Sequence, residues 1–364
     1  MRILAVDIGT GTQDILLFDS SKLVENCVKI IMPSPTALLA ERISRATACG
    51  QPILLTGTTM GGGPIKGALS RHTEAGLAAY ATVEAALTFH DDLDVVRGMG
   101  VSIVAPEEVP HPPDLEIIEL KDLDLAAIRQ ALDAFSVGHQ LDAIAVAVLD
   151  HGFAPPGMSN RRFRFEHLQR VMAQRPELAA FAYLAQEIPD YLTRMKAVAK
   201  SIDVDVPLLL LDTGVAAALG ALQDGEVSQH DDLLTVNTGN AHTIAFHLCG
   251  GSIGGLFEHH TRLLNAASLD SLITRLARGT LTNDEVYDVG GHGALVVGGE
   301  RHTPFVAITG PRHDVTAGSS LSPHRAVPHG DTMLAGCYGL VSACALRMDD
   351  WRQEIERALT GSAR

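Results

Sequence analysis

The chain has 364 residues, a formal net charge of −15 and 46% hydrophobic residues, enough for about two domains with packed cores. The acidic balance excludes a general nucleic-acid surface, because phosphate binding needs clustered Lys and Arg, and no basic amphipathic stretch suits a membrane surface. No apolar run approaches the roughly 18 residues needed to span a bilayer, and Asp7 interrupts the first apolar run too early for a signal peptide, so a cytoplasmic protein is expected.

Strands are expected over 2–8 and 14–19, joined by a short glycine turn into an antiparallel hairpin, with a third strand over 28–32. Residues 36–48 have helical spacing, with Leu38, Leu39 and Ile43 on one face and Thr36 as N-cap. A strand over 52–57 runs into the loop TTMGGG, and Pro64 opens a helix. Residues 90–122 are irregular except for one strand, LEIIEL (115–120). A helix over 124–136 precedes the strand DAIAVAVL (142–149), which is apolar on both faces, as buried parallel strands are. Helical pattern covers 164–201, broken at Pro176 and Pro189. The strand PLLLLD (207–212) leads into an alanine-rich helix over 214–222. The polar segment 223–232 is the expected domain boundary. A second hairpin follows (233–248), then a helix over 268–278, a strand over 305–309, an apolar helix over 332–346 and a polar one over 349–359.

The two hairpins echo each other. AVDIGTGTQDILLF and TVNTGNAHTIAFHL share one form, a strand, Asp or Asn, a Gly-containing turn and a second strand, about 230 positions apart. In the first, the turn of Gly9, Thr10, Gly11, Thr12 and Gln13 can aim backbone N–H groups into one concavity and add hydroxyl donors, an anion nest. Asp7 beside bound phosphate makes sense with a cation between them, and Mg²⁺, which binds through a carboxylate, waters and phosphate, is the natural one. A plain glycine hairpin is the bland alternative. GxxxxGK[ST] is absent, and Gly9-x-Gly11 leads into a strand rather than a helix, so neither a P-loop nor a dinucleotide fingerprint fits.

Other stretches carry candidate chemistry. In DHGFAPPGMSNRRFRF (150–165), Asp150 and His151 would be a general base and its partner, while Arg161, Arg162 and Arg164 would bind an anionic substrate; a polar loop with solvated arginines reads equally well. Gly61, Gly62 and Gly63 offer N–H groups at a helix start, an anion site or a simple connection. Sixteen histidines are present, nine after position 240. His242 and His247 would face opposite sides of a strand and His259 and His260 would diverge, so a dedicated metal cluster is not expected. His260 and His292 are the better substrate contacts.

The first hairpin resembles the phosphate hairpin of the actin-like ATPase superfamily (sugar kinases, heat-shock chaperones and actin), and four further segments match its ordered elements: LLDTGVAAALGAL (210–222), VNTGNAHT (236–243), VAITGPR (306–312) and AGCYGLVSACA (335–345). The resemblance implies an α/β fold of two ribonuclease H-like domains with a cleft between them, one formed by 1–223 plus 332–364 and the other by 228–331. It implies Mg-ATP, with Asp7 holding Mg²⁺ through water and Gly9 to Gln13 facing Asn237, Thr238, Gly239, Asn240 and the adenosine turn at Gly310. Asp150 or Asp212 would orient a nucleophile, Asp212 serving equally as a helix cap. The implied activity is ATP hydrolysis or phosphoryl transfer to a small molecule; a nucleotide-dependent switch acting on a partner protein is the alternative, and Asn237, where the superfamily usually has a second aspartate, favours it. Pro311 stands where a second glycine is usual.

Within the superfamily, DIGTGTQD, MGGGP, DHGFAPPGMSNRRFRF, EHHT and ITGPR resemble a group labelled as pyruvate formate-lyase activating enzymes. That label implies a radical enzyme with an iron–sulfur cluster. Such a cluster needs closely spaced thiolates, and the five cysteines (Cys27, Cys49, Cys249, Cys337, Cys344) are scattered, so that chemistry is not expected.

Overall fold

A computed structural model describes residues 1–361 apart from 106–107, 110–111, 139 and 298–303. Its first sheet has six strands in the order Val28–Pro33, Thr12–Asp19, Arg2–Ile8, Ala143–Val148, Leu208–Leu211 and Tyr183–Leu184. Neighbours among the first three are antiparallel, and Arg2–Ile8, Ala143–Val148 and Leu208–Leu211 run parallel. The second sheet runs Gly293–Val296, Ser252–His260, His242–Cys249, Asp232–Thr238, Phe305–Thr309 and His324–Arg325. Its last five strands repeat the order and directions of the first five strands of the first sheet. This repeated arrangement is the ribonuclease H-like domain twice over, the α/β architecture of an actin-like ATPase.

The central strand Ala143–Val148 explains how the first sheet is sandwiched. Side chains alternate across a strand. Ala143, Ala145 and Ala147 face one core, which holds the helices Thr213–Ala221 and Ala335–Arg347; Ile144, Val146 and Val148 face another, filled by Leu125, Ile128 and Met195. Small residues admit close helices on the first side. Those helices cross where glycines leave no room: a Cβ on Gly220 would lie 1.8 Å from the Ala335 carbonyl oxygen, and one on Gly339 1.8 Å from that of Ala216.

A third sheet takes up the two strands expected over 52–57 and 115–120 and adds two that were not expected. Val101–Ile103, Ala79–Ala81, Ile53–Gly57 and Glu116–Leu120 pair in parallel and build their own core with Ile43, Ile65 and Leu69. Two of its strands have three residues each, too short for a periodic signal. Other differences are local. Ser34, not Thr36, caps the first helix, because Pro35 takes the first helical position. The stretch expected to be helical over 164–201 forms Asn160–Gln174 and Thr193–Lys200, with the short strand Tyr183–Leu184 between them. Ser252–His260 is a strand that Gly254 and Gly255 disguise. Among the described residues, no helix is long and apolar enough to cross a membrane.

Candidate functional site

The two hairpins are built alike. Asp7 pairs with Asp14 and Ile8 with Gln13 in the first, and Asn237 pairs with Ile244 and Thr238 with Thr243 in the second. In the turns, Gly9 N–H donates to Thr12 O and Gly239 N–H donates to His242 O, each at 2.9 Å. The turns meet. A Cβ on Gly11 would fall 2.2 Å from Asn240 Nδ2. Beside them opens a cleft of about 980 Å³, lined by Asp7, Gly9, Thr10, Asn237, Gly239 and Asn240 among others.

Asp7 stands at the end of its strand, where Oδ1 accepts from Thr213 Oγ1 at 2.5 Å. Its Oδ2 is packed so closely on the helix Ala335–Arg347 that a Cβ on Gly336 would lie 1.9 Å away. Burial, opposed by the Thr213 hydrogen bond and reinforced by Asp212, pushes the Asp7 carboxyl up to about 7. Asp14, across the hairpin, is pushed up to about 8 by burial and by the Asp7 charge. Thr12 Oγ1 donates to Asp14 Oδ2 at 3.4 Å, whereas Asp14 Oδ1 is buried without a hydrogen-bond partner.

Gly61, Gly62 and Gly63 form a further wall of the cleft. A Cβ on Gly63 would come within 3.0 Å of the Thr10 methyl, and one on Gly61 within 2.7 Å of Arg194 Nη2. Arg194 grips Asp122 through Nε (2.7 Å) and Nη2 (2.8 Å) and donates to Leu149 O, tying this wall to the end of the central strand.

Asp150 lies in the cleft wall, but its carboxylate accepts from the N–H groups of Gly152 (2.8 Å) and Met195 (2.9 Å), which hold the loop bearing His151. Asp212 caps the helix Thr213–Ala221, accepting from Gly214 N–H at 2.9 Å, and its second oxygen accepts from Arg164 Nη1 at 2.7 Å. Arg164 is fully buried and also donates to Glu258 Oε2 at 2.7 Å and to Asp150 O. It is an internal strut, not the anion-binding arginine expected from the sequence. Around Glu258 gather His151, His242, His260 and His292. His151 and His292 stack with their Nε2 atoms 3.0 Å apart, and the ring of His292 is 4.8 Å from those of His242 and His260. Burial, followed by neighbouring imidazoles and Arg164, holds His151 and His292 well below the usual histidine range, and His260 is pushed down to about 4, again chiefly by burial.

The cleft therefore brings together Asp7, Asp150 and Asp212, the turn residues Gly9, Thr10, Thr12, Asn237, Gly239 and Asn240, Gly310, Gly61 to Gly63, and His151, Arg161, His260 and His292. Four expected residues are placed otherwise. Gly11 packs on Asn240; Thr238 is buried and donates to Thr309 O; Gln13 Oε1 is buried without a partner; Arg162 is exposed and stacks on Tyr287. Arg161 donates to Gly291 O. Gly310 has φ +96°, and a Cβ there would strike Thr238 O and Asn237 Oδ1, so the ITGPR turn is fixed by its glycine and packs on the second hairpin. Glu258 is the central residue that sequence reasoning missed. Its only signal is the acid in FEHHT, inside a strand that was itself not expected.

The family model described as "Putative pyruvate format-lyase activating enzyme (DUF1786)" matches residues 60–315, well over half of the chain. The chain belongs to this family. Among solved structures it is similar to a ROK family glucokinase from Streptomyces griseus in complex with glucose and AMPPNP (12% identity, 95% of this chain and 99% of that one, TM-score 0.35). It is also similar to the ethanolamine utilization protein EutJ from Carboxydothermus hydrogenoformans (13% identity, 93% and 89%, TM-score 0.33). A third similarity is to a ROK family transcriptional regulator, a homolog of the E. coli MLC protein (9% identity, 69% of this chain, TM-score 0.26). The chain spans 37% of that regulator's length. The fold stands on the strand order, not on these similarities. No curated protein matches the sequence.

The words of the family description raise the question of an iron–sulfur cluster. Cys27, Cys337 and Cys344 are buried, Cys49 is exposed and Cys249 lies on the second sheet. Among the described residues no three thiols converge; the two groups able to hold a metal contain one cysteine between them.

Proposed function

We propose that the cleft binds ATP with Mg²⁺ and hydrolyses it or transfers its phosphoryl group to a small molecule. The observation that carries this reading is the meeting of two alike turns at Gly11 and Asn240, with Asp7 and Asn237 at matching positions beside one cleft. Thr10 brings a hydroxyl donor to the same wall, suited to phosphate oxygens. The donor set also fits a hard cation. Asp14 Oδ1 is buried without a partner, and the Asp7 and Asp14 carboxyls face each other across the hairpin. Asp7, with Asp14 behind it, would hold Mg²⁺ through water, and the ion would neutralise phosphate charge. Thr213 fixes the Asp7 carboxylate, while Asp150 and Asp212 position the His151 loop and Arg164.

Asn237 supports a second reading. Its amide is neutral, and its oxygen accepts from Thr309 Oγ1 at 3.4 Å, so the second turn brings no charge to a cation. A nucleotide-dependent switch acting on a partner protein, with slow turnover, follows from that. Calorimetry and thermal shift with Mg-ATP and Mg-ADP test both readings. Binding that Asp7→Asn weakens at least about tenfold is expected. Phosphate release stimulated by a small-molecule acceptor selects the enzyme, and binding with negligible release selects the switch. Absence of a shift with either nucleotide overturns both.

A further inference from the structure

Four metal-type ligands meet in the cleft from four separate parts of the chain. His151 follows the central strand Ala143–Val148 of the first sheet. His242 and Glu258 lie on adjacent strands of the second sheet, and His292 immediately precedes Gly293–Val296. One ligand atom from each lies within 4.8 Å of all the others. His151 Nε2 is 3.0 Å from His292 Nε2, which is 3.8 Å from Glu258 Oε1. Ligand atoms about 3.3 Å apart form the edge of a tetrahedral site with zinc–nitrogen bonds, so the 3.0 and 3.8 Å separations need small adjustments and the wider ones, up to 4.8 Å, an inward swing of the side chains.

The second observation is an orphan. Glu258 is 0% exposed, yet its Oε1 has no hydrogen-bond partner, and burying such an atom unpaired is costly. Its other oxygen is locked by Arg164 Nε at 2.7 Å, the kind of outer contact that fixes a ligating carboxylate. Arg164 is also paired with Asp212, so one guanidinium serves two buried carboxylates and a net negative charge remains beside the three imidazoles.

We propose that His151, His242, Glu258 and His292 hold a first-row divalent transition ion of the zinc type. Three imidazoles and one carboxylate suit Zn²⁺ and its neighbours and do not suit Mg²⁺, which prefers oxygen ligands and water. This site is separate from the cation expected at Asp7. All four residues line the cleft, so a substrate oxygen can reach the ion as an additional ligand. The ion also ties the first sheet to the second, because His151 alone comes from the former half.

Asp232, His247 and Cys249 form another group close enough to bind a metal and serve as the control. The test titrates full-length, chelator-stripped protein with Co²⁺ and then Zn²⁺, without nucleotide, so its outcome is separate from the nucleotide reading. Expected is one Co²⁺ per chain with the visible absorption of a low-coordinate ion, displaced by Zn²⁺, and a higher melting temperature on loading. His151→Ala and His292→Ala are each expected to weaken uptake about a hundredfold, and His247→Ala to leave it unchanged. Circular dichroism of the apo variants confirms folding, and where one histidine variant fails to fold, the other, read beside His247→Ala, decides. No stoichiometric uptake by wild type overturns the proposal. So does uptake that survives both His151→Ala and His292→Ala, whether or not it disappears in His247→Ala.

Discussion

Gly11 and Asn240, from turns more than two hundred residues apart, pack on each other beside the cleft. A Cβ on Gly11 meets only the end of the Asn240 side chain, which can swing aside. Gly11→Ala is therefore expected to change stability by no more than about 1 kcal/mol. It is expected to weaken Mg-ATP binding severalfold by displacing the Asn240 side chain from its place between the turns. Calorimetry beside a denaturant melt reads both, and unchanged affinity would remove Gly11 from the binding argument.

The glycines at the helix crossing behave differently. Gly339 faces the Ala216 carbonyl oxygen, a backbone atom that cannot rotate away. Gly339→Ala is expected to cost about 3 kcal/mol by overpacking. Gly67, exposed on the helix Gly63–Glu74, is the contrast: a Cβ there meets nothing closer than 3.4 Å. Gly67→Ala is expected to add about 0.5–1 kcal/mol. Urea melts of both variants check the pair.

Arg164 carries the largest electrostatic consequence. Arg164→Met leaves Asp212 and Glu258 buried without their cation. A loss of about 3–5 kcal/mol is expected. Arg164→Lys is expected to recover little, because a single ammonium cannot reproduce the Nε and Nη1 contacts to two carboxylates. A Lys variant as stable as wild type would contradict this account.

His167 is expected to contribute to acid sensitivity, alongside His151, His260 and His292. It is 5% exposed, its Nδ1 lies 3.1 Å from the Tyr191 hydroxyl, and burial and then Arg164 push it down to about 4. Between the ordinary histidine value of about 6.5 and pH 4, the unfolded chain takes up a proton that the folded chain refuses. The stability that His167 contributes is therefore full above pH 6.5 and declines by up to about 3 kcal/mol as the pH falls toward 4, while the raised Asp7 and Asp14 carboxyls act in the opposite sense over the same range. His167→Phe is expected to remove that histidine's share of the acid-side decline, which thermal melts of variant and wild type from pH 4 to 8 will show.

Asn237→Asp tests the neutral position in the second turn. The new carboxylate would bring a second charge to a cation shared with Asp7, and phosphate release with Mg-ATP is expected to rise about tenfold. A rate no different from wild type would show that the amide does not limit turnover.

What the sequence made legible follows the range of the forces involved. Gly9 and Gly239 mark their turns by local chemistry, and the alternation of Ala143 to Val148 marks a strand covered on both faces. Both were readable from neighbours in sequence. Ala79–Ala81 and Val101–Ile103 exist because of their parallel partners, and three residues carry no period. Gly254 and Gly255 hide the strand bearing Glu258. The histidines fail for a related reason. His242 and His260 are register partners across two strands, while His151 arrives from the other half, so their convergence is a product of tertiary structure. Odd and even offsets along one strand say nothing about it.

The inserted sheet has its own interior, centred on Ile43, Ile53 and Ile118, and is clamped to the rest by Arg194 and Asp122. It supplies the Gly61 to Gly63 wall without contributing a strand to either duplicated half. Evolution thus has a replaceable jaw: residues there can drift to suit a new guest molecule while the strands that present Asp7 and Asn237 stay as they are.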